Sequence, residues 1–109
     1  MFASEARQME VRVTENNGVT LLEVLKEGNP VNAQNPVSVD ELQTFAMPEV
    51  RGGEVVIVSG MPMWAVGVVA LAVKNLFSAV AVLDPRLGGG VIVHAVSPKY
   101  KLGQILPLG

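Results

Sequence analysis

From Val55 to Val73 the chain carries no charged side chain. A run of this kind must be buried, and its interruptions decide how. Ser59-Gly60 and Pro62 break it near its middle. The part after Gly60, Met61 to Val73, is too short for a membrane span, which needs about 20 residues. The run ends at Lys74-Asn75. Glu54–Ser59, rich in β-branched residues, reads as a buried strand. Pro62 suits the first turn of a helix, and Met63–Leu76, apolar nearly all round, reads as a helix covered on most sides. Ser78–Leu83 is a second buried strand. A strand, helix and strand in this order form a parallel, right-handed crossover.

The flanking segments complete the pattern. Met9–Val13 alternates apolar and polar residues, Asn16-Asn17-Gly18 signals a turn, and Val19–Leu25 is a strand, which together make a hairpin. Lys26–Pro36 reads as a loop. Ser38-Val39-Asp40-Glu41 matches a capping box opening a short helix that Pro48 ends. Asp84–Gly90 is a glycine-rich turn, Val91–Val96 a strand, and Pro98–Leu108 a tail with a short last strand near Gln104–Leu106. The order β-β-α-β-α-β-β gives an α/β (α+β) two-layer sandwich, with a mixed sheet and its helices on one face. The 109 residues fit one domain, 1–109.

Bulk properties exclude several roles. The net charge of −2 argues against a protein that coats DNA or duplex RNA. The charge is uneven: residues 1–51 sum to −4 and residues 52–109 to +2, so an anion is better placed in the second half. There is no cysteine, which excludes disulfides and thiolate metal sites and agrees with a cytoplasmic location. The polar N-terminus is not read as a signal peptide, and no membrane association is expected. Half of the residues are apolar and only 17% charged, so a homo-oligomer that hides apolar surface is expected.

Three places can carry chemistry. The junction Ser59-Gly60-Met61 ends a strand just before a helix, where free N–H groups and a positive dipole end favour an anion; Ser59 adds a hydroxyl. The plain alternative is a tight turn at Gly60 and a core-filling Trp64. Asp84-Pro85-Arg86 comes directly after a buried strand, where α/β sheets usually bind ligands. Arg86 can grip a phosphate with two donors, and Asp84 can orient a hydroxyl or coordinate a cation. The alternative is a turn capped by Asp84 and paired with Arg86. His94, the only histidine, is a candidate general acid or base on Val91–Val96, with Ile92, His94 and Val96 on one face; the alternative is a hydrogen-bonded structural residue. Lys99 and Lys101 either add phosphate attraction or belong to a solvated tail. No P-loop, dinucleotide fingerprint or metal-ligand spacing occurs.

The stretch Val55–Val93, VVIVSGMPMWAVGVVALAVKNLFSAVAVLDPRLGGGVIV, resembles the small ring-nuclease family of type III CRISPR systems, the third of the Csx accessory families. It shares a strand ending in Ser-Gly, an apolar helix beginning near a Trp, and an alanine-valine strand running into Asp-Pro-Arg-Leu-Gly. The resemblance implies a ferredoxin-like domain that assembles as a homodimer or homotetramer. It implies binding of cyclic tetra-adenylate or another cyclic oligoadenylate, and its metal-dependent cleavage, with Mn2+ the usual ion. Action on an RNA 3′ end is also implied. By position, Asp84 and Arg86 match the acidic and basic members of the active motif, with Asp84 the metal candidate. Ser59, Gly60 and Met61 match the ligand-binding loop, and His94 lies near the place of a family histidine. The helix Met63–Leu76 has none of the family's histidines. Three alternative roles result: a ring nuclease, a non-catalytic sponge or sensor for cyclic oligoadenylate, and a plain interaction protein.

Overall fold

The computed structural model describes residues 9–38, 40–41, 47–60 and 63–108. The strands are β1 (Met9–Asn16), β2 (Val19–Lys26), β3 (Asn29–Pro30), β4 (Gly53–Ser59), β5 (Phe77–Asp84), β6 (Gly89–Ala95) and β7 (Ile105–Pro107). One helix, α1 (Met63–Val73), links β4 to β5 and tightens into a 3-10 turn at Lys74–Leu76. A second 3-10 turn, Pro85–Leu87, comes after β5.

All seven strands form one mixed sheet in the order β1-β2-β4-β5-β6-β7, with β3 paired to β2. β2, β4 and β5 run parallel in the centre, and β1, β6 and β7 add antiparallel neighbours. This is the expected mixed sheet in a two-layer α+β sandwich, compatible with the ferredoxin-like class.

Period-2 alternation splits the sheet's side chains between two faces. On the helix face Leu22, Val24, Val56, Val58 and Val80 pack with Ala65, Val66, Val69, Ala70 and Val73 of α1. On the opposite face Val55, Ile57, Ala79, Ala81 and Ile92 form a smaller cluster under Tyr100 and Leu106. Strands buried on both faces read as continuous apolar runs, which is why β4 and β5 show no alternation in sequence.

Several boundaries differ from the sequence reading, each for a local reason. The segment expected as a loop after Lys26 holds β3, because Glu27 and Gly28 adopt the same positive-φ turn as Asn17 and Gly18; glutamate rarely signals that conformation. The helix begun at Ser38 is described at residues 40–41, and the rest of the expected element lies outside the described residues. Its capping box is closed in both directions: the Ser38 N–H donates to Glu41 Oε1 at 3.0 Å and the Glu41 N–H to Ser38 Oγ at 3.1 Å. Glu41 also receives the Lys26 ammonium at 3.0 Å, with both side chains mostly buried. Ser38→Ala is expected to cost about 1 kcal/mol, read as a lower urea midpoint at unchanged m-value.

The helix α1 is not covered on most sides. Among the described residues one face packs on the sheet, while Met63, Val68 and Leu71 of the other are half or more exposed. No helix among the described residues is long and apolar enough to cross a membrane.

The C-terminal segment is a strap. Gly103 N–H donates to the Ile92 carbonyl, Ile92 N–H to that of Gln104, and Leu108 N–H to that of Gly88. The Tyr100 hydroxyl donates to Glu54 Oε1 at 2.6 Å, and the Lys99 ammonium lies 3.7 Å from the same oxygen. Tyr100, with Lys99 beside it, holds the Glu54 carboxyl below its ordinary range, and Glu54 pushes the Tyr100 hydroxyl above its own. The signs differ. The Glu54 contribution is present above the unfolded carboxylate range and is lost as pH falls through the lowered value. The Tyr100 contribution is complete below the ordinary tyrosine range and is lost as pH rises through the raised value. Tyr100→Phe should flatten both limbs of the denaturation midpoint plotted against pH; a profile parallel to that of the parent would refute the coupling.

Candidate anion site at the carboxyl ends of the parallel strands

The parallel register brings two of the three sequence candidates together. Val58 of β4 faces Val82 of β5, so Ser59 and Gly60 run beside Leu83 and Asp84, about one strand spacing of 4.8 Å away. A cleft of about 270 Å3 opens there, lined by Glu23, Val24, Ser59, Gly60, Leu83 and Pro85. Met61 lies outside the described residues.

Gly60 is required by its surroundings. Its φ is +137°, and a Cβ there would lie 2.8 Å from the Val24 Cβ. Only a glycine lets the chain leave β4 this close to β2 and turn into α1.

Asp84 ends β5 and caps the 3-10 turn after it. Its Oδ1 accepts from the Arg86 N–H at 3.0 Å and from Arg86 Nε at 3.2 Å, and its Oδ2 accepts from Arg86 Nη2 at 3.0 Å. Gly88 closes the turn at φ +70°, its N–H bonded to the Pro85 carbonyl. The capped and paired turn is therefore present. It does not exhaust Arg86, whose guanidinium has five donors. Among the described residues two of them serve Asp84, and the side chain is 86% exposed, which leaves three donors toward solvent. The Arg86 hydrogen bonds hold the Asp84 carboxyl below its ordinary range, and Asp84 in turn raises Arg86. Asp84 is thus a fixed anion that aims a guanidinium and a poor proton acceptor near neutral pH.

His94 is elsewhere. It faces Val80, four residues before Asp84, roughly 13 Å down the strand. Its face also differs from the sequence reading. A β-bulge between Val80 and Ala81 leaves Val93 as the extra residue, with Ile92 opposite Ala81 and His94 opposite Val80. Ile92 accordingly lies on the strap face and His94 on the helix face, where its Nε2 is buried with no hydrogen-bond partner among the described residues. Lys99 is bound to the strap's own ion pair with Glu54.

Sequence reasoning missed Glu23 and Arg12. Glu23 stands opposite Ser59 across the β2–β4 ladder and pairs with Arg12 at 3.1 Å. The available signal was symmetry: Arg12 and Glu23 are equally distant from the Asn17-Gly18 turn and carry opposite charge.

The donor set does not make a manganese cage in one chain. Among the described residues no three His, Asp or Glu side chains converge, and both Asp84 oxygens are engaged by Arg86. The arrangement can hold an anion against Arg86 and the turn into α1.

The chain matches the family described as CRISPR-associated protein (Cas_csx3) over residues 31–107. The match spans Ser59, Gly60, Asp84, Arg86 and His94, and leaves out the β1–β2 hairpin. No curated protein matches the chain.

Proposed function

The chain belongs to the CRISPR-associated Cas_csx3 family, and from that premise we propose that it is a type III accessory protein that binds a cyclic oligoadenylate, cyclic tetra-adenylate in the first instance. The observation that carries this reading is the Arg86 guanidinium, held by Asp84 with three donors free, on the loop beside the Ser59-Gly60 cleft. A phosphate placed there meets a fork of charge-assisted donors and the turn leading into α1. A compact ring with few charges also suits a chain of net charge −2.

The same geometry favours holding the ring over cutting it within one chain. Cleavage by attack of an adenosine 2′-OH on its own 3′-phosphate needs no covalent intermediate, and Arg86 would stabilise the charge developing on the phosphate. It gains most from a base within hydrogen-bond reach of that hydroxyl. Asp84 is held ionised and occupied, and His94 lies well down the strand on the helix face. Sequestration is therefore the leading reading, with turnover the second.

The test is a titration of the purified protein with cyclic tetra-adenylate, beside a reverse-phase analysis of products with and without manganese. Binding without products is expected. Linear products would make the protein a ring nuclease. Stronger binding of a linear oligoadenylate would move the ligand to an RNA 3′ end, and no binding of either would overturn the reading.

A further inference from the structure

The carboxyl end of the sheet carries an acceptor that the grip of Arg86 on a phosphate does not use. The ladders set Arg12, Glu23, Ser59 and Leu83 in one row. Arg12 pairs with Glu23, Glu23 pairs with Ser59, and Ser59 and Leu83 follow the pair Val58 and Val82. Ile57, two residues before Ser59, belongs to the strap-face cluster, so the row lies on that face. Arg12 and Glu23 precede residue 31, where the family match begins. Their part in the site is set by this chain's own hairpin.

The Arg12–Glu23 pair is one-sided. Arg12 Nε donates to Glu23 Oε1 at 3.1 Å, and Arg12 Nη2 lies 3.1 Å from the same oxygen. Asp84 differs, since Arg86 engages both of its oxygens. Among the described residues Glu23 Oε2 has no partner, and neither has the Ser59 hydroxyl. The Glu23 side chain is 28% exposed, and Glu23 and Ser59 both line the cleft. Arg12 compensates the charge of Glu23, so the carboxylate can stand near a bound phosphate at little electrostatic cost.

The rest of the cleft is lined by Val24, Leu25, Pro30, Val31, Leu83 and Pro85, apolar residues throughout, and by Gly60. Its volume of about 270 Å3 falls below the roughly 300 Å3 at which pockets for whole ligands begin, so it takes one group of a larger molecule. Apolar walls with one carboxylate oxygen and one hydroxyl suit the flat face and polar edge of a purine. A sugar would leave most of its oxygens unpaired there. Distance agrees. Glu23 lies two strand spacings, about 9.6 Å, from β5, whose end carries the Arg86 loop. That separation suits the far edge of a base whose phosphate lies on Arg86 and exceeds the reach to the ribose hydroxyl beside that phosphate.

We infer that Glu23 is a specificity-determining residue of the anion site: its Oε2 accepts a hydrogen bond from the 6-amino group of an adenine seated in the cleft. The inference rests on the reading that Arg86 holds a phosphate of the same ligand. Adenine presents its amino donor beside an acceptor, the ring nitrogen N7. Ser59, one strand over from Glu23, supplies the matching donor. A purine without the amino group leaves Oε2 unpaired in the complex, which costs affinity.

The test compares cyclic tetra-adenylate with the ring in which purine riboside, lacking the 6-amino group, replaces each adenosine. Both rings keep the phosphates and the ribose hydroxyls, so Arg86 meets the same partners in each. The parent is expected to bind the adenine ring roughly tenfold or more tighter in isothermal titration, as a hydrogen bond to a charged group implies. Glu23→Ala should bind the two rings equally. A merely structural role for the pair would weaken both rings alike and leave their ratio unchanged. Arg12→Ala breaks the same pair but keeps the carboxylate, and should keep a preference for the adenine ring. Equal binding of the two rings by the parent, an undiminished ratio in Glu23→Ala, or loss of the ratio in Arg12→Ala would each overturn the inference and leave the phosphate at Arg86 standing. A parent that binds neither ring would overturn both.

Discussion

Arg86→Ala is expected to weaken binding of cyclic tetra-adenylate by roughly 10- to 100-fold, with folding stability nearly unchanged. Hydrogen bonds to charged groups contribute about 1.5–3 kcal/mol net, and each 1.4 kcal/mol is tenfold in affinity. The side chain is mostly in solvent and its one partner among the described residues is Asp84, two positions earlier, so its removal leaves no cavity. Exposed pairs of this kind add little to stability. Arg86→Lys keeps the charge and loses the fork, and should fall between the parent and the alanine variant. Isothermal titration at fixed salt reads all three. An alanine variant with the parent's affinity would remove Arg86 from the site and with it the reason for placing a phosphate there.

The second large effect is on the fold. Gly60→Ala is expected to destabilise the protein by about 2–6 kcal/mol. Two penalties act together: a strained backbone region costs roughly 1–3 kcal/mol, and overpacking a filled space typically costs another 1–3. The new Cβ would press on the Val24 Cβ at 2.8 Å and on its main-chain N and O at 3.3 Å. Gly88→Ala is the internal control. Gly88 also has a positive φ, +70°, but a Cβ there meets nothing within 4 Å, so only the backbone penalty applies. Urea denaturation should rank Gly60→Ala well below Gly88→Ala. Equal midpoints would mean that the turn relaxes and that the contact with β2 does not hold the cleft in shape.

Much of this architecture is legible in the sequence because local chemistry and global fold agree. Asn17-Gly18 makes the hairpin that its φ preferences dictate, and Ser38 with Glu41 forms both bonds of the capping box. The uncharged run splits at Ser59-Gly60 into strand and helix. What stayed hidden depends on partners far along the chain. Glu27 takes a positive φ because β3 folds back on β2, and nothing in Glu-Gly-Asn-Pro marks that pairing. Glu23 joins the cleft only through the parallel register with β4. The uniform hydrophobicity of α1 concealed that one face alone meets the sheet. The site was half visible: residue types and loop positions pointed to Ser59, Gly60, Asp84 and Arg86, whereas the distance of His94 from them comes from the antiparallel ladder.

The extra residue at Val93 bears on how relatives should be lined up. A bulge absorbs one inserted residue without changing the partner of any residue on either side. Removing Val93 would leave Ile92 against Ala81 and His94 against Val80, as they are now. A one-residue gap set among the glycines of the preceding turn, where the bulge is the place of a length difference, would therefore assign every residue from Gly90 to Val93 to the wrong neighbour. Residue counting across this segment is a poor guide to which side chains share a face, and a one-residue difference in length is absorbed most easily at the bulge.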